Sequence, residues 1–277
     1  MNSFIRRKKL PNSLRSFLKL MKYYLRGIFL LVRDARYVEV ISLQGYFVKE
    51  FSDFLSNRSQ TFLLKNVKTD VREELYWREL HSDELESHVS LAFLAGLLEL
   101  VSTTDALQGD IIELGTYKGG TTISLAHYLQ LIGSKKKVYA CDTFAGHPYG
   151  TSSKIWMAKS HFSDTNLEHV QRKCELFHVD DRIRLVEGRF EDSLDPALRH
   201  EMFSLAFIDC DLYQSAKYSL TWLTSHLTKG GVIVTHDYFS SSDIRKAVHE
   251  WCRNNGLKVT LCPVPHICIP VSHALDR

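Results

Sequence analysis

The sequence predicts an α/β protein with a Rossmann-like, doubly wound sheet of seven strands and an N-terminal helical cap. From residue 109 onward, short β-branched runs alternate with helical stretches, which indicates a parallel sheet covered by helices on both faces. The first predicted strand runs into a glycine-rich loop. Only Pro263-Val264-Pro265 separates the last two strands, too few residues for a crossover, so these strands should pair antiparallel.

The composition and charge limit the classes of protein that fit. The 277 residues are 44% hydrophobic and 24% charged, which excludes wholesale disorder and a polytopic membrane protein. The net charge of +3 is uneven, because residues 1–36 carry ten basic residues and one acid while the remaining residues are net acidic. Six cysteines without C-x-x-C spacing favour free thiols in a reducing compartment. We therefore expect a cytoplasmic protein.

Residues 1–36 are predicted to form a basic amphipathic helical segment. Within 12–34, apolar residues recur on one helix face beside a stripe of basic residues. This pattern suits the surface of an anionic membrane, and the longest apolar run, 28–32, is too short to span a bilayer. We expect peripheral contact with the inner face of a membrane. The alternatives are packing on the body or a partner subunit, a transit peptide, or a nucleic-acid tail.

The rest of the chain divides into a helical cap and the alternating region. The cap is predicted over 37–108, with helices at 37–55 and 83–101. In the alternating region, helices are predicted at 121–131, 166–177 and 214–226. Strands are predicted at 110–114, 138–142, 183–187, 205–209, 231–235, 258–262 and 266–271.

The loop after the first predicted strand indicates a ligand with an anionic group. Gly115, Gly119 and Gly120 let a ligand approach the backbone, and the following helix N-terminus offers free N–H groups. The spacing G-x-x-x-G-G matches neither the dinucleotide fingerprint nor a Walker loop. Asp142 ends the second strand, where an acid accepts hydrogen bonds from ribose hydroxyls in such folds. A simple tight turn is the alternative interpretation.

Polar residues end the fourth and fifth predicted strands. Asp209 and Asp211 follow the fourth strand, and His236 and Asp237 follow the fifth. Adjacent parallel strands would bring these residues to one edge of the sheet. Converging carboxylates repel one another unless a cation lies between them, which favours a metal site here.

Five ordered segments resemble the motifs of class I S-adenosylmethionine-dependent methyltransferases, and more narrowly those of the macrocin O-methyltransferase (TylF-type) family. The segments are 109–122, 141–148, 187–194, 208–215 and 229–238. The resemblance covers roughly residues 90–271 and implies that residues 109–277 form an S-adenosylmethionine-binding methyltransferase domain.

The resemblance implies which residues would bind the cofactor. Glu113 and Gly115 would line the pocket for its methionine end, Asp142 would hold the ribose, and Phe144 would lie against the adenine. The full implied set is Glu113, Gly115, Tyr117, Gly119, Gly120, Thr121, Asp142, Thr143, Phe144, Arg189, Phe190, Glu191, Asp192 and Asp209.

The resemblance also implies Mg²⁺ at the acid cluster, held by Asp209, His236 and Asp237, with Asp209 and His236 as the catalytic residues. Asp209 would take a proton from the substrate hydroxyl. His236 stands where the family usually has an acid. An imidazole suits Mn²⁺ better than Mg²⁺, so a different metal, a weaker Mg²⁺ site and a basic role for His236 stay open, as does a structural histidine.

The expected function is O-methylation of a hydroxyl on a sugar of a glycan or glycosylated natural product, by a homo-oligomer without a nucleic-acid partner. One alternative is a metal-dependent nucleotide-sugar glycosyltransferase, because Asp209-Cys210-Asp211 also matches a D-x-D pattern. Another is a non-catalytic, cofactor-binding scaffold at a membrane. Amine or RNA methylation is disfavoured because Asp209-Cys210-Asp211-Leu212 lacks the N/D-P-P-Y/F of amine-methylating relatives.

Overall fold

The computed structural model describes residues 38–39, 67–149, 162–238, 241–257, 259–261 and 267–270. The basic amphipathic segment 1–36 lies outside the described residues, as does most of the predicted helix 37–55. No helix within the described ranges is long and apolar enough to cross a membrane.

The described strands form one sheet of eight. The five central strands pair in parallel, as predicted, because each is followed by a helix that returns the chain to the opposite end of the sheet. The sheet order is β1-β7-β8-β6-β5-β2-β3-β4. The strands are β1 (Val38–Glu39), β2 (Asp110–Leu114), β3 (Val138–Asp142), β4 (Ile183–Glu187), β5 (Phe203–Ile208), β6 (Leu227–Thr235), β7 (Val259–Leu261) and β8 (Ile267–Pro270).

The prediction of seven strands was wrong by one strand. Val38 pairs in parallel with Val259, so β1 extends the sheet at a position predicted to be helical. This strand has only two residues and depends on a partner more than 200 positions away in the chain, so local periodicity does not reveal it. β8 pairs antiparallel with both β6 and β7. Residues 262–266 lie outside the described residues, so the turn between β7 and β8 stays a prediction.

Eight helices are described around the sheet. The three helices predicted between the parallel strands are confirmed to within a few residues at each end, and α1, α6 and α8 were not predicted. The helices are α1 (Thr69–Leu80), α2 (Ser82–Leu85), α3 (Leu91–Thr104), α4 (Gly120–Leu131), α5 (Leu167–Leu176), α6 (Phe190–Leu198), α7 (Tyr213–Leu223) and α8 (Ser242–Asn255).

The predicted helix 83–101 is wrong in its first third. α2 ends at Leu85, and the next residue, Glu86, adopts the left-handed backbone conformation with φ 51°. A new helix begins at Leu91, where the hydroxyl of Ser90 accepts the backbone N–H of Phe93 and caps α3. The leucine- and alanine-rich run concealed this break. Its consequence is that residues 86–90 form a non-helical segment, of which 86–89 line the cavity at the carboxyl ends of the strands.

The core lies on both faces of the sheet. Neighbouring residues of a strand point to opposite faces, so Ile111 packs with the cluster under α1, α3 and α4, while Ile112 packs with the cluster under α6, α7 and α8. All six residues of β5 are buried, which is typical of a central parallel strand covered on both faces. The sheet is therefore a rigid support for the loops at its carboxyl edge.

Candidate active site

A cavity of about 960 Å³, partly open to solvent, lies at the carboxyl edge of the sheet. The loops after the five parallel strands supply most of its walls, and residues 86–89 supply the remaining side. Open α/β sheets bind their ligands at this edge. The predicted site residues that line it are Glu113, Gly115, Tyr117, Gly120, Thr121, Asp142, Thr143, Arg189, Phe190, Asp209, His236 and Asp237.

Four predicted cofactor residues do not line this cavity. Phe144 has a left-handed φ of 49°, which turns its side chain into the core, where it is only 2% exposed. Gly119 packs against Val170 instead. Glu191 and Asp192 each form an ion pair with Arg189, and Glu191 also accepts the hydroxyl hydrogen of Tyr149.

The glycine loop after β2 lies in direct backbone contact with the residues that follow β5. Gly115 has φ 104°, and a side-chain carbon at this position would overlap the carbonyl group of Asp209. Gly120 begins α4, and a side chain there would overlap the carbonyl oxygen of Leu85. Glycine is therefore required at both positions for close approach, and Gly115 is also required for its positive φ.

Asp142 organises the loop that follows β2. One carboxylate oxygen of Asp142 accepts the backbone N–H groups of Thr116 and Tyr117, each at 2.8 Å. Its other oxygen accepts the N–H of Phe144 at 2.9 Å. A carboxylate offers about four lone-pair positions, so most of this capacity is already in use. The side chain lines the cavity, but a ribose would share Asp142 with the loop rather than have it alone.

Glu113 places a buried carboxyl group at the centre of the cavity wall. Its side chain is 1% exposed and accepts the hydroxyl hydrogen of Thr122. Burial raises the pKa of Glu113 well above its ordinary value, and the nearby Asp209 and Asp142 carboxylates raise it further. A cationic ligand group in the cavity would favour the ionised form and so gain an electrostatic partner.

The structure brings together the three predicted metal ligands. The Nδ1 atom of His236 lies 3.1 Å from Oδ1 of Asp209 and 2.9 Å from Oδ2 of Asp237. One ligand atom from each residue lies within 4.8 Å of the other two. The ring of His236 packs edge to face against Phe93 of α3, at 4.7 Å between ring centroids.

Electrostatics in this cluster favour a cation. Burial lowers the pKa of His236, but the carboxylates of Asp209 and Asp237 outweigh burial and raise it well above the ordinary value. Asp211 lies beside the same groups, and burial together with the Asp209 and Asp237 charges raises its pKa to about 8. The cluster thus has more negative charge than one imidazole neutralises.

The donor set fits a divalent metal ion. Ligand atoms at right angles on an octahedral ion, with bonds of about 2.1 Å, lie about 3.0 Å apart. The two separations, 3.1 and 2.9 Å, are close to that spacing and are also those of hydrogen bonds between the imidazole and the two carboxylates, so a metal would take the place of a proton on Nδ1. Two carboxylates with one imidazole suit Mn²⁺ or Fe²⁺ at least as well as Mg²⁺.

Sequence reasoning missed the wall formed by residues 86–89. Ser87 lies against Gly120, and its hydroxyl is 3.0 Å from that of Thr121, while Val89 also lines the cavity. Predicting a continuous helix there hid this segment, although Ser90 before an apolar run is a helix-start signal. Phe162 and Ser215 also line the cavity, and no sequence signal singled them out.

The chain belongs to the macrocin-O-methyltransferase (TylF) family. The model of that family matches residues 59–270, which is more than half of the chain and includes every strand described above except β1. The family consists of O-methyltransferases, so the fold, the cavity and the family agree on an enzyme of the S-adenosylmethionine-dependent methyltransferase class.

Two relatives and one solved structure show where the chain stands within this class. It is 29% identical over 180 residues, 61% of this chain and 68% of the relative, to the 8-demethyl-8-(2,3-dimethoxy-alpha-L-rhamnosyl)-tetracenomycin-C 4'-O-methyltransferase of Streptomyces olivaceus. It is 27% identical over 164 residues, 55% of this chain and 64% of the relative, to the mycinamicin III 3''-O-methyltransferase of Micromonospora griseorubida. The structure of the O-methyltransferase NovP shares the fold, with a TM-score of 0.61, 20% identity, and coverage of 68% of this chain and 82% of NovP.

Proposed function

We propose that this protein transfers a methyl group from S-adenosylmethionine to a hydroxyl on a sugar of a glycan or glycosylated natural product. The observation that carries the proposal is the double role of Asp209. Its backbone packs on Gly115 of the glycine loop, and its side chain belongs to the acid cluster with His236. One residue thus joins the proposed cofactor site to the proposed reaction site.

In the proposed reaction, the acceptor hydroxyl oxygen forms a bond to the methyl carbon while the carbon–sulfur bond breaks. S-Adenosylhomocysteine leaves with the bond electrons, and the hydroxyl proton passes to the carboxylate of Asp209. His236, whose pKa the two carboxylates raise, would donate a hydrogen bond to that carboxylate. Because the reaction neutralises a sulfonium charge, in-line positioning supplies much of the rate enhancement. The buried carboxyl group of Glu113 would face the ammonium group of the cofactor.

A divalent metal is part of this proposal. Asp209, His236 and Asp237 would hold it, and their measured spacing supports that role. The chemistry that a bound metal supplies is a lower pKa for a coordinated hydroxyl. We infer Mg²⁺, with Mn²⁺ as the alternative because of the imidazole.

The names of the two relatives support a sugar as the acceptor, since one is named for a rhamnosyl-tetracenomycin and the other for mycinamicin III. The family match argues against a nucleotide-sugar glycosyltransferase. A non-catalytic scaffold would not need its acid cluster, yet Asp209, His236 and Asp237 converge at ligand spacing.

The experiment compares Asp209→Asn with the wild-type protein. The variant should lose at least about 100-fold in turnover while S-adenosylhomocysteine binding, measured by calorimetry, changes little. Asp181→Asn, at an exposed acid away from the cavity, is the matched control and should behave as wild type. Normal turnover in Asp209→Asn would contradict the assignment.

Two finer proposals concern regions and assemblies beyond the site. We propose that residues 12–34 contact anionic membranes peripherally and that the protein is a homo-oligomer. Deleting residues 1–36 should release the protein from anionic vesicles in a sedimentation assay and leave cofactor binding intact. Persistent vesicle binding by the shortened protein would show that the basic segment is not the anchor.

A further inference from the structure

Four rings from four separate segments form one aromatic wall of the cavity. The wall consists of His88, Tyr117, His147 and Phe162, and all four line the cavity. Tyr117 and Phe162 meet edge to face with ring centroids 4.9 Å apart. His88 lies 5.3 Å from Tyr117 and 5.9 Å from Phe162, and His147 lies 5.5 Å from Phe162. Phe162 is thus the centre of the wall.

Next to this wall lies an ion-pair clamp that consists of Glu86, Lys118 and Asp164. The Nζ atom of Lys118 lies 2.9 Å from Oε1 of Glu86 and 2.9 Å from Oδ2 of Asp164. The Tyr117 hydroxyl donates to the other oxygen of Asp164 at 2.7 Å. The Lys118 hydrogen bond lowers the pKa of Glu86 to about 2, so the clamp is ionised at neutral pH. Each residue of the clamp is within two positions of a wall ring.

Toward the described residues, His88 leaves its hydrogen-bonding capacity unused. Its side chain is exposed at the cavity, and among the described residues it makes ring contacts but no hydrogen bond. A neutral imidazole offers one donor and one acceptor. An aromatic surface of tilted rings, beside an imidazole that makes no hydrogen bond to the described residues, suits a ligand that is apolar on one face and carries hydroxyl groups at its edge.

The position of the wall relative to the acid cluster favours the acceptor as its ligand. The non-helical segment carrying His88 continues through Ser90 into α3, whose Phe93 packs on the ring of His236. A short stretch of chain, from His88 to Phe93, therefore connects the wall to a residue that contacts the proposed reaction site.

We propose that His88 and Phe162 bind the saccharide ring of the acceptor, next to Tyr117 of the proposed cofactor site. The apolar face of the ring packs against the aromatic wall, and the imidazole of His88 hydrogen-bonds to a ring hydroxyl other than the one that is methylated. Glu86, Lys118 and Asp164 are positioning residues that hold the wall. This inference rests on the proposed function, because it assigns the acceptor side of the same cavity.

The test uses the full chain and p-nitrophenyl α-L-rhamnopyranoside within a panel of p-nitrophenyl glycosides. Methylated glycoside is measured by mass spectrometry with saturating S-adenosylmethionine, and S-adenosylhomocysteine binding by calorimetry. His88→Ala and Phe162→Ala should each raise the acceptor KM about tenfold, because each removes a contact to the saccharide ring, with kcat and S-adenosylhomocysteine affinity little changed. His200→Ala and Tyr76→Ala are the matched controls at exposed positions outside the cavity.

The outcomes separate this inference from the proposed function. An unchanged acceptor KM in both variants, with methylation of the glycoside intact, overturns the wall and leaves the proposed function standing. A parallel loss of S-adenosylhomocysteine affinity also overturns it, because the wall would then belong to the cofactor site. If the wild-type protein binds S-adenosylhomocysteine but methylates no glycoside of the panel, the sugar acceptor itself is wrong and both proposals fall.

Discussion

A side chain at Gly115 would overlap the backbone carbonyl group of Asp209. This contact couples the loop after β2 to the acid cluster after β5, so the shape of the proposed cofactor site depends on the backbone that also positions the proposed base. The coupling has consequences that mutation can measure.

Gly115→Ala should destabilise the protein and abolish S-adenosylhomocysteine binding. The new methyl group cannot fit without moving the backbone at Asp209, and φ 104° is a strained conformation for alanine. We expect a loss of roughly 3 kcal/mol in the free energy of unfolding, measured by denaturant titration. Gly133→Ala is the matched control, because Gly133 also has a positive φ but nothing within 4 Å. It should cost only about 1 kcal/mol. Equal effects from the two substitutions would show that backbone contact at Asp209 is unimportant.

Glu113→Gln should separate cofactor binding from stability. Glutamine resembles the neutral form that burial favours at Glu113, so the melting temperature without ligand should stay equal or rise. It cannot supply a negative charge to the cofactor ammonium group, so the stabilisation produced by S-adenosylhomocysteine should fall, consistent with an affinity about tenfold weaker. Thermal melts with and without ligand measure both effects. Glu187→Gln, at an exposed acid, serves as the control, and an undiminished ligand-induced shift at position 113 would be incompatible with this role.

Removing metal should lower turnover. A chelator should reduce methyl transfer, and Mg²⁺ or Mn²⁺ should restore it, because Asp209, His236 and Asp237 lie close enough together to hold one ion. His236→Asp should shift the metal preference toward Mg²⁺, since it replaces an imidazole by a carboxylate. Metal titrations of the turnover rate measure the preference. Full activity in chelator, with no response to added metal in either protein, would remove the metal from the account.

The stability of the helical layer should depend on pH through Glu74. Its buried carboxyl group lies 2.5 Å from Nδ1 of His127, and burial raises its pKa to about 7 against the opposing effects of His127 and Arg78. The unfolded carboxyl group loses its proton near pH 4.5, so the unfolded state gains an advantage as pH rises from about 5 to 7. Stability should therefore fall over this range by on the order of 2 kcal/mol more in the wild type than in Glu74→Gln.

Denaturant titrations at several pH values measure this difference in the free energy of unfolding. Glu84→Gln is the matched control, because Glu84 is exposed and should leave the pH slope unchanged. Parallel pH profiles for the wild type and Glu74→Gln would mean that Glu74 does not titrate in this range.

The parts of the fold that the sequence predicted are those set by short-range patterns. β2, β3 and β4 have the predicted bounds. β2 and β3 are short, mostly buried runs that end at a turn signal, while β4 is a short, partly buried run that ends at Gly188. The clustering of Asp209 with His236 was predictable for a similar reason, because the ends of neighbouring parallel strands meet at one edge.

The parts that escaped prediction depend on tertiary contacts or on single backbone angles. The left-handed conformation of Glu86 breaks a run that reads as one helix, and φ 49° at Phe144 turns the ring away from the cavity. Neither residue is a glycine, the residue type that would have indicated a positive φ in the sequence. β1 forms by parallel pairing with β7, a strand far away in the sequence. The aromatic wall belongs to the same group, since its rings come from segments distant in sequence.

The central claim is methyl transfer from S-adenosylmethionine to a sugar hydroxyl in this cavity. The most direct measurement incubates the full chain with S-adenosylmethionine, metal and the glycoside panel, and follows release of S-adenosylhomocysteine together with the mass of the glycoside. We predict release that depends on the glycoside, one methyl group added to a sugar oxygen, and loss of both signals in Asp209→Asn. Absence of S-adenosylhomocysteine binding, or a glycoside methylated equally well by Asp209→Asn, would contradict the account.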